Sequence, residues 1–371
     1  TYGFKFEKGE LIPSKSNVKM NDQLKPEISS SYEAGLDMKF LNNRLGFDFT
    51  YYYSRTKNQI MKVPAAAPWS GGKWVNAGLI TNKGFEMMIY STPVQLKDFS
   101  FDLNVNLAKN VSNVEKLADG VDYIYFNGDS NFPINVGARP GHKLGEIYAK
   151  TLYKRDEQGN IIINKENGLP MTTTDADERL AKPIGNIQPN LLMSVSPSFT
   201  YKGITLSAMF DMKFGADIYS MSAMQSHVNG TSKETLEGRQ EWYSSEQKRQ
   251  SAGVPAGNWI ATGGYVGKGV MAIKNDDGEM IYVPNNVCVD PAKYWQALQT
   301  TSPEPFIYDN SFVKLREISL SYNCPKKWFV HTPIESITLS AYGRNLLLIY
   351  SNVDNIDPES SYNNGNGQGF E

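Results

Sequence analysis

The side chains that carry most enzymatic chemistry are few in this sequence and poorly spaced for it. His142, His227 and His331 lie too far apart to form a ligand pair on one helix or loop, and Cys288 and Cys324 are too few for a thiolate metal centre. Gly263-Gly264-Tyr265-Val266-Gly267-Lys268-Gly269 has the lysine of a phosphate loop. However, Thr262 stands where the first glycine is needed, and Gly269 where a magnesium-binding hydroxyl is needed. Gly365, Gly367 and Gly369 have no strand before them and no helix after them in the places a dinucleotide site requires. Neither a G-x-S-x-G elbow nor an H-E-x-x-H helix occurs. The chain reads as a protein without catalytic activity.

Aromatic rings are abundant instead: 21 Tyr, 17 Phe and 6 Trp, or 12% of the residues. Many lie in long polar stretches between apolar runs. Rings shown in such loops can stack on sugars or take apolar side chains, and they can equally pack loops together or against a partner protein. Trp69, Trp74, Tyr123, Tyr125, Trp242, Tyr243, Trp259 and Trp295 are the candidate ligand contacts, with a slight lean towards glycan over peptide. Phe126 extends the tyrosine cluster, and Trp328, in a short turn, suits an aromatic girdle at a membrane interface. Asn275-Asp276-Asp277-Gly278-Glu279 and Asp354-Asn355-Ile356-Asp357-Pro358-Glu359 offer hard oxygens that could suit calcium, but neither has EF-hand spacing. Solvated turns are the simpler reading, and no cofactor is expected beyond such an ion. Asp156-Glu157-Gln158-Gly159-Asn160 reads as a hairpin turn. After the Asn229-Gly230 turn, Ser232, Glu234, Glu237, Arg239, Glu241-Trp242-Tyr243 and Glu246 predict a short charged helix.

The elements that must position these residues show themselves by their period. Ile28, Ser30, Tyr32, Ala34, Leu36, Met38 and Phe40 alternate with Ser29, Ser31, Glu33, Gly35, Asp37 and Lys39. The same two-residue period recurs in eight segments near 28–41, 45–60, 79–92, 99–111, 189–201, 204–215, 311–323 and 335–346. A strand of about 13 residues reaches roughly 43 Å at ~3.3 Å per residue. Tilted by about 45°, it spans the ~25 Å apolar band of an outer-membrane barrel. Short turns alternate with long outer loops at 61–78, 112–187, 216–310 and 347–371, as in such barrels. The alternation therefore predicts an all-β, transmembrane antiparallel barrel. Its apolar residues face lipid, while Glu33, Asp37, Asp48, Glu86, Asp102, Asn104, Asp211, Lys213 and Glu317 face a polar interior. A soluble sandwich or propeller, the competing architecture, has shorter strands and more even loops. No run approaches the ~18 apolar residues of a membrane helix. A formal net charge of −2 gives no footprint for nucleic acid. Cys288 in a long loop and Cys324 at a short turn fall on opposite sides of the membrane, so no disulfide is expected between them.

Several segments resemble one family. Ser31-Tyr32-Glu33-Ala34-Gly35-Leu36-Asp37 with Phe40-Leu41-Asn42-Asn43-Arg44-Leu45 resembles the barrel of SusC-like (SusC/RagA-type) TonB-dependent transporters. So do Asn76-Ala77-Gly78 with Thr81-Asn82-Lys83-Gly84-Phe85-Glu86, the run Phe312 to Tyr322, Tyr342-Gly343-Arg344-Asn345-Leu346, and Asp357-Pro358-Glu359. The resemblance covers nearly the whole chain in the family's order. It implies part of a roughly 22-stranded outer-membrane barrel of Bacteroidetes-type bacteria, with these eight strands about the fourteenth to the twenty-first. It also implies a plug domain and a TonB-contacting segment outside this chain, so that 1–371 is a partial barrel domain cut from a longer polypeptide. The family imports oligosaccharides or oligopeptides, with a SusD-like surface lipoprotein as lid, and the charged helix in 216–310 would belong to the lid contact. The rival reading is a structural or adhesive surface β-protein that moves nothing; a passive porin is a third, and it needs no loops of this size.

Overall fold

Long strands with a two-residue period pair as hairpins where tight turns join them, and the simplest sheet sets successive hairpins side by side in chain order. The computed structural model, which describes residues 2–7, 10–15, 18–19, 21–63, 72–76, 78–126, 132–360 and 369, has this arrangement. Its wall strands are β1 (Ile28–Phe40), β2 (Leu45–Lys57), β3 (Leu79–Gln95), β4 (Phe99–Lys116), β5 (Leu191–Tyr201), β6 (Ile204–Phe214), β7 (Phe312–Asn323) and β8 (Thr338–Ser351). They form one eight-stranded sheet in chain order, every neighbour antiparallel. The tight turns are built by residues that tolerate positive φ. Asn42 (55°) and Asn43 (64°) follow Leu41 (53°) between β1 and β2, and Lys202 (48°) and Gly203 (87°) join β5 to β6.

Three strands extend beyond their alternation. β3 runs to Gln95, β4 continues to Lys116, and β8 begins at Thr338 and runs to Ser351, not 335–346. In β8 the cause is a break in register: β7 and β8 shift between Leu315 and Glu317, opposite Asn345, which takes φ 52°. The bulge re-phases the strand, and Leu346-Leu347-Leu348-Ile349 beyond it no longer alternates in sequence.

Register fixes two opposed faces. On one, Leu206, Leu320 and Leu339 are 47%, 51% and 63% exposed. Aromatic pairs cross this face between neighbouring strands: Phe40–Phe47 at 6.2 Å, Phe49–Phe85 at 6.1 Å and Phe101–Phe199 at 4.6 Å between centroids. The other face carries Asp37 opposite Asp48, Thr50 opposite Glu86, Asn106 opposite Ser194 and Ser207 opposite Ser319. There Tyr90 covers Gly46 and Tyr52 covers Gly84; a Cβ on either glycine would collide with the ring above it. These glycines are the places where an aromatic ring lies flat against the backbone.

The buried core lies outside the wall. The described residues of 58–63, 72–76, 117–126, 132–190 and 215–311 gather at one end of the sheet. There Ile134, Val136, Ile147, Tyr219 and Phe306 are at most 2% exposed in one cluster, and Val63, Ile80 and Val114 at most 4% in a second. A small sheet sits among them: Ile134–Ala138 lies between Glu146–Ala149 and Ile124–Tyr125, with Gly185–Asn186 beyond Glu146–Ala149. Among the described residues, four α-helices complete the module: α1 (Ala176–Ala181), α2 (Met221–Val228), α3 (Arg239–Ser251) and α4 (Pro291–Ala297). The helix expected after Asn229-Gly230 is in two pieces. A 3-10 turn over Lys233–Leu236 stops at Gly238, whose φ of 79° no right-handed helix accepts, and α3 starts afresh at Arg239. Asp156-Glu157-Gln158-Gly159-Asn160 is a hairpin turn, with Asn160 N donating to Asp156 Oδ1 at 2.7 Å between the bridged Arg155 and Ile161.

Candidate functional site

The polar face of the wall is a continuous hydrogen-bonding surface. Asn106 Nδ2 donates to Ser194 Oγ at 3.1 Å, Ser198 and Ser207 meet at 2.8 Å, Thr200 and Thr205 at 3.0 Å, and Tyr52 Oη donates to Asn110 Oδ1 at 3.0 Å. The Asn106–Ser194, Ser198–Ser207 and Thr200–Thr205 pairs join neighbouring strands, so side chains ladder beside the backbone bonds, and Tyr52 of β2 reaches across β3 to Asn110 of β4. A shallow concavity of about 500 Å³ on this face has Asp48, Glu86 and Asp211 around Met88, Leu192 and Met209.

An ionic cluster ties the segment after β8 back onto this face. Lys314 Nζ donates to Asp357 Oδ1 at 2.6 Å and to Glu359 Oε2 at 2.7 Å. Arg316 reaches both oxygens of Glu359, at 3.0 and 2.6 Å, and also pairs with Asp211 of β6. This is the two-pronged geometry that guanidinium and carboxylate favour. Lys213 donates to the Pro358 carbonyl at 3.3 Å, and Pro358 is buried between these contacts. The register break supplies the arginine: Arg316 is the extra residue of β7 against Met209 and Phe210 of β6 and lies opposite Asn345-Leu346 of β8, donating to Asn345 Oδ1 (2.9 Å) as well as the carboxylates, while Glu317 next to it takes Arg344 at 2.9 Å. Hydrogen bonding from Arg316 holds the Glu359 carboxyl down at about 2, and the Lys314 ammonium lowers Asp357. The acidic run 354–359 is thus a strap pinned by cations, not a solvated turn: its carboxylates at 357 and 359 are already paired with side chains of the wall.

The sequence held every member of this cluster, but in three separate segments. Its legible signal is charge complementarity: Lys213, Lys314 and Arg316 balance Asp211, Asp357 and Glu359. Among the described residues, no group of three His, Cys, Asp or Glu residues is arranged to hold a metal. Asn275 serves its own turn, accepting from Asp277 N and Glu279 N. Cys288 and Cys324 are free thiols, one in the 215–311 segment and one just after β7 at the short-turn end.

The eight candidate aromatics do not converge on one place. Trp69 lies outside the described residues. Trp74, on the short strand Lys73–Asn76, and Tyr125 border a cleft of about 550 Å³ where the loop module meets the outer ends of β2 and β3. Tyr123 packs on Tyr125 at 4.7 Å, and burial pushes the Tyr125 phenol up, so it stays a neutral hydroxyl. Trp242 and Trp295 line a second hollow of about 360 Å³ between α2, α3 and α4. The Trp295 ring is surrounded there by His227 and Tyr265 at 5.1 Å and Tyr294 at 5.3 Å. Trp259 donates its indole N–H to Ser245 Oγ at 3.0 Å, bracing the middle of α3. Tyr243 is 59% exposed on the same helix. Trp328 stands at the short-turn end, edge-on to Tyr322 at 6.4 Å.

Comparison with known proteins agrees with this architecture. Residues 8–346 match the family model described as TonB dependent receptor-like, beta-barrel. TonB-dependent receptor P3 of Formosa agariphila is 24% identical over 372 residues, covering 94% of this chain and 32% of its own length. TonB-dependent receptor SusC of Bacteroides thetaiotaomicron is 29% identical over 216 residues, 54% of this chain and 20% of that protein. Among solved structures, the RagAB peptide transporter aligns with all of this chain and 36% of its own, with a TM-score of 0.64 at 18% identity, which is a likeness of fold. The chain therefore spans about a third of the length of such relatives. With its one-way meander, apolar outer face and loops gathered at one end, the chain belongs to the TonB-dependent receptor-like β-barrel family of the bacterial outer membrane.

Proposed function

We propose that this chain is a section of the barrel of a SusC-type, TonB-dependent importer, taking up oligosaccharides or oligopeptides with a SusD-like lipoprotein over its mouth. One observation carries the reading: the sheet has an exposed apolar face and a hydrogen-bonded polar face, with all its large loops at one end. Such a wall suits lipid on one side and a solute path on the other. Its edges, β1 and β8, cannot stand unpaired in hydrocarbon, so further strands close the barrel on either side. In this reading the plug and the TonB-contacting part are supplied by polypeptide beyond residues 1–371. The lid captures solute, pull by TonB displaces the plug, and the polar face lines the passage. The loop module forms the vestibule and the rim on which the lid docks. Substrate contacts fall to Trp74 and Tyr125 at the open cleft, to Tyr123 stacked beside Tyr125, and to exposed Tyr243; Trp242, Trp259 and Trp295 hold the loops in shape.

The test is uptake in the native cell. Replacing segment 216–310 by a short linker should leave a barrel in the outer membrane but abolish growth on one complex nutrient, as should loss of TonB. Growth unaffected by either change, with cell adhesion altered instead, would establish a surface-binding protein in place of an importer.

A further inference from the structure

We infer that the cleft between the loop module and the outer ends of β2 and β3 is a peptide subsite, which takes an apolar side chain and an adjacent backbone N–H. The inference rests on the importer reading and names the class of solute. Ile60, Ile80, Ile124, Phe126 and Ile187 make the lining largely aliphatic and aromatic, with Trp74 and Tyr125 at its sides. No carboxylate lines it among the described residues, and its polar side chains are chiefly two amides, Gln59 and Gln188, and the amine of Lys62. A sugar ring carries hydroxyls around most of its circumference, and each needs a partner when it leaves water. Beyond the side chains of Gln59, Gln188, Lys62, Tyr125 and Trp74, this lining offers them only backbone groups. A peptide has the opposite demand: an apolar side chain to bury and a sparse, regular series of N–H and C=O groups to satisfy. The volume of about 550 Å³ falls within the range of pockets that combine apolar walls with a few placed polar groups.

Gln59 supplies a second, independent observation. Its Oε1 is buried and has no hydrogen-bond donor among the described residues. Buried side-chain acceptors are nearly always paired, so an orphan on a residue that lines the cleft marks a place for an incoming donor when the amide turns towards it. A peptide N–H is such a donor. The loop aromatics by themselves lean towards glycan; the aliphatic floor and the single orphaned acceptor reverse that lean at this cleft.

The experiment uses the full-length protein with its lipoprotein, purified from native outer membrane as wild type, Gln59→Leu and Ile60→Asp. Ile60 is 36% exposed on a short strand, so the charge enters the cleft without entering the core. Each preparation is incubated with a tryptic digest of casein or with a mixed pool of malto-, xylo- and manno-oligosaccharides, washed, and its retained molecules identified by mass spectrometry. The heat-dependent gel mobility of a folded barrel serves as the folding control. Peptides containing Leu, Ile or Phe should be retained, reduced roughly fivefold by Gln59→Leu, the loss of about one hydrogen bond, and almost entirely by Ile60→Asp. Retention of no peptide, of peptides indifferent to both substitutions, or of oligosaccharides that both substitutions release would overturn the inference. Uptake separates it from the importer reading. TonB-dependent import of sugars only leaves the importer standing without the peptide subsite. Peptide binding whose uptake ignores TonB leaves the subsite without the importer.

Discussion

The wall and the loop module are made from the same apolar residues and use them in opposite ways. In the module Ile134, Val136 and Ile147 are fully buried, as in any water-soluble domain. In the wall Leu206, Leu320 and Leu339 project outward with about half or more of their surface uncovered. Their burial must come from the bilayer, because a single sheet cannot cover its own apolar face. The wall's cohesion within one plane comes from the backbone ladder, from cross-strand rings on the lipid side, and from hydroxyls, amides and ion pairs on the polar side. Position on the period, not residue type, decides whether a leucine makes a core or a membrane surface.

The largest effect that would sharpen this contrast belongs to the module. Phe306, 2% exposed and packed edge-on against His227 at 5.2 Å, should cost about 3–5 kcal/mol when truncated in Phe306→Ala. Limited proteolysis should then cleave the 215–311 segment at much lower denaturant while the barrel keeps its heat-dependent gel mobility. Second, the two faces of β7 should respond oppositely to charge. Ile318→Arg on the apolar face should lower stability by about 2–4 kcal/mol in a bilayer refolding titration, whereas Ser319→Arg on the polar face should change it by well under half of that. Equal costs would break the assignment of faces.

The strap is where the regions meet, and it ranks third. Lys314→Met removes the cation that holds Asp357 and Glu359, which should weaken strap docking by roughly 1–3 kcal/mol. A cysteine placed at exposed Asn355 should then react faster with a water-soluble maleimide. Smallest is the pH response. The Glu359 carboxyl is held below its ordinary 4.5, at about 2, so its contribution is complete above 4.5 and lost as pH falls through 2. Labelling at position 355 should therefore stay constant from neutral pH down to about 4.5 and rise only below it; an increase already between pH 7 and 5 would assign the strap to other contacts.

Much of the wall was legible because a two-residue period needs no tertiary knowledge. The register that sets Asp37 opposite Asp48 follows from alternation plus a short turn, whereas alternation alone gives the faces of Ser207 and Ser319, which pair across the long 215–311 segment. Legibility ended where the period did. The bulge at Arg316 and Asn345 re-phases β8, and Leu346 to Ile349 carry no alternation to read through it. The strap was visible only as an acidic run, because its partners Lys213, Lys314 and Arg316 lie on other strands and only folding brings them within hydrogen-bond distance. The loop module was least legible. Its strands are as short as the two residues Ile124–Tyr125, and its helices begin and end on single residues such as Ser220, whose hydroxyl caps α2, and Gly238. The loop tryptophans carried no mark to tell a ring that packs, as Trp295 does, from one that borders an open cleft, as Trp74 does.

The central claim, that one face of the wall meets lipid and the other a water-filled path, is tested most directly by two adjacent cysteines. In the full-length protein, with Cys288 and Cys324 replaced by serine, single cysteines at Ile318 and Ser319 would each carry a small fluorophore in a bilayer. Brominated lipid should quench the label at 318 and spare the one at 319, and iodide added to the water should do the reverse. Equal quenching of both labels by iodide, with none by lipid, would mean that both faces of this sheet are wet.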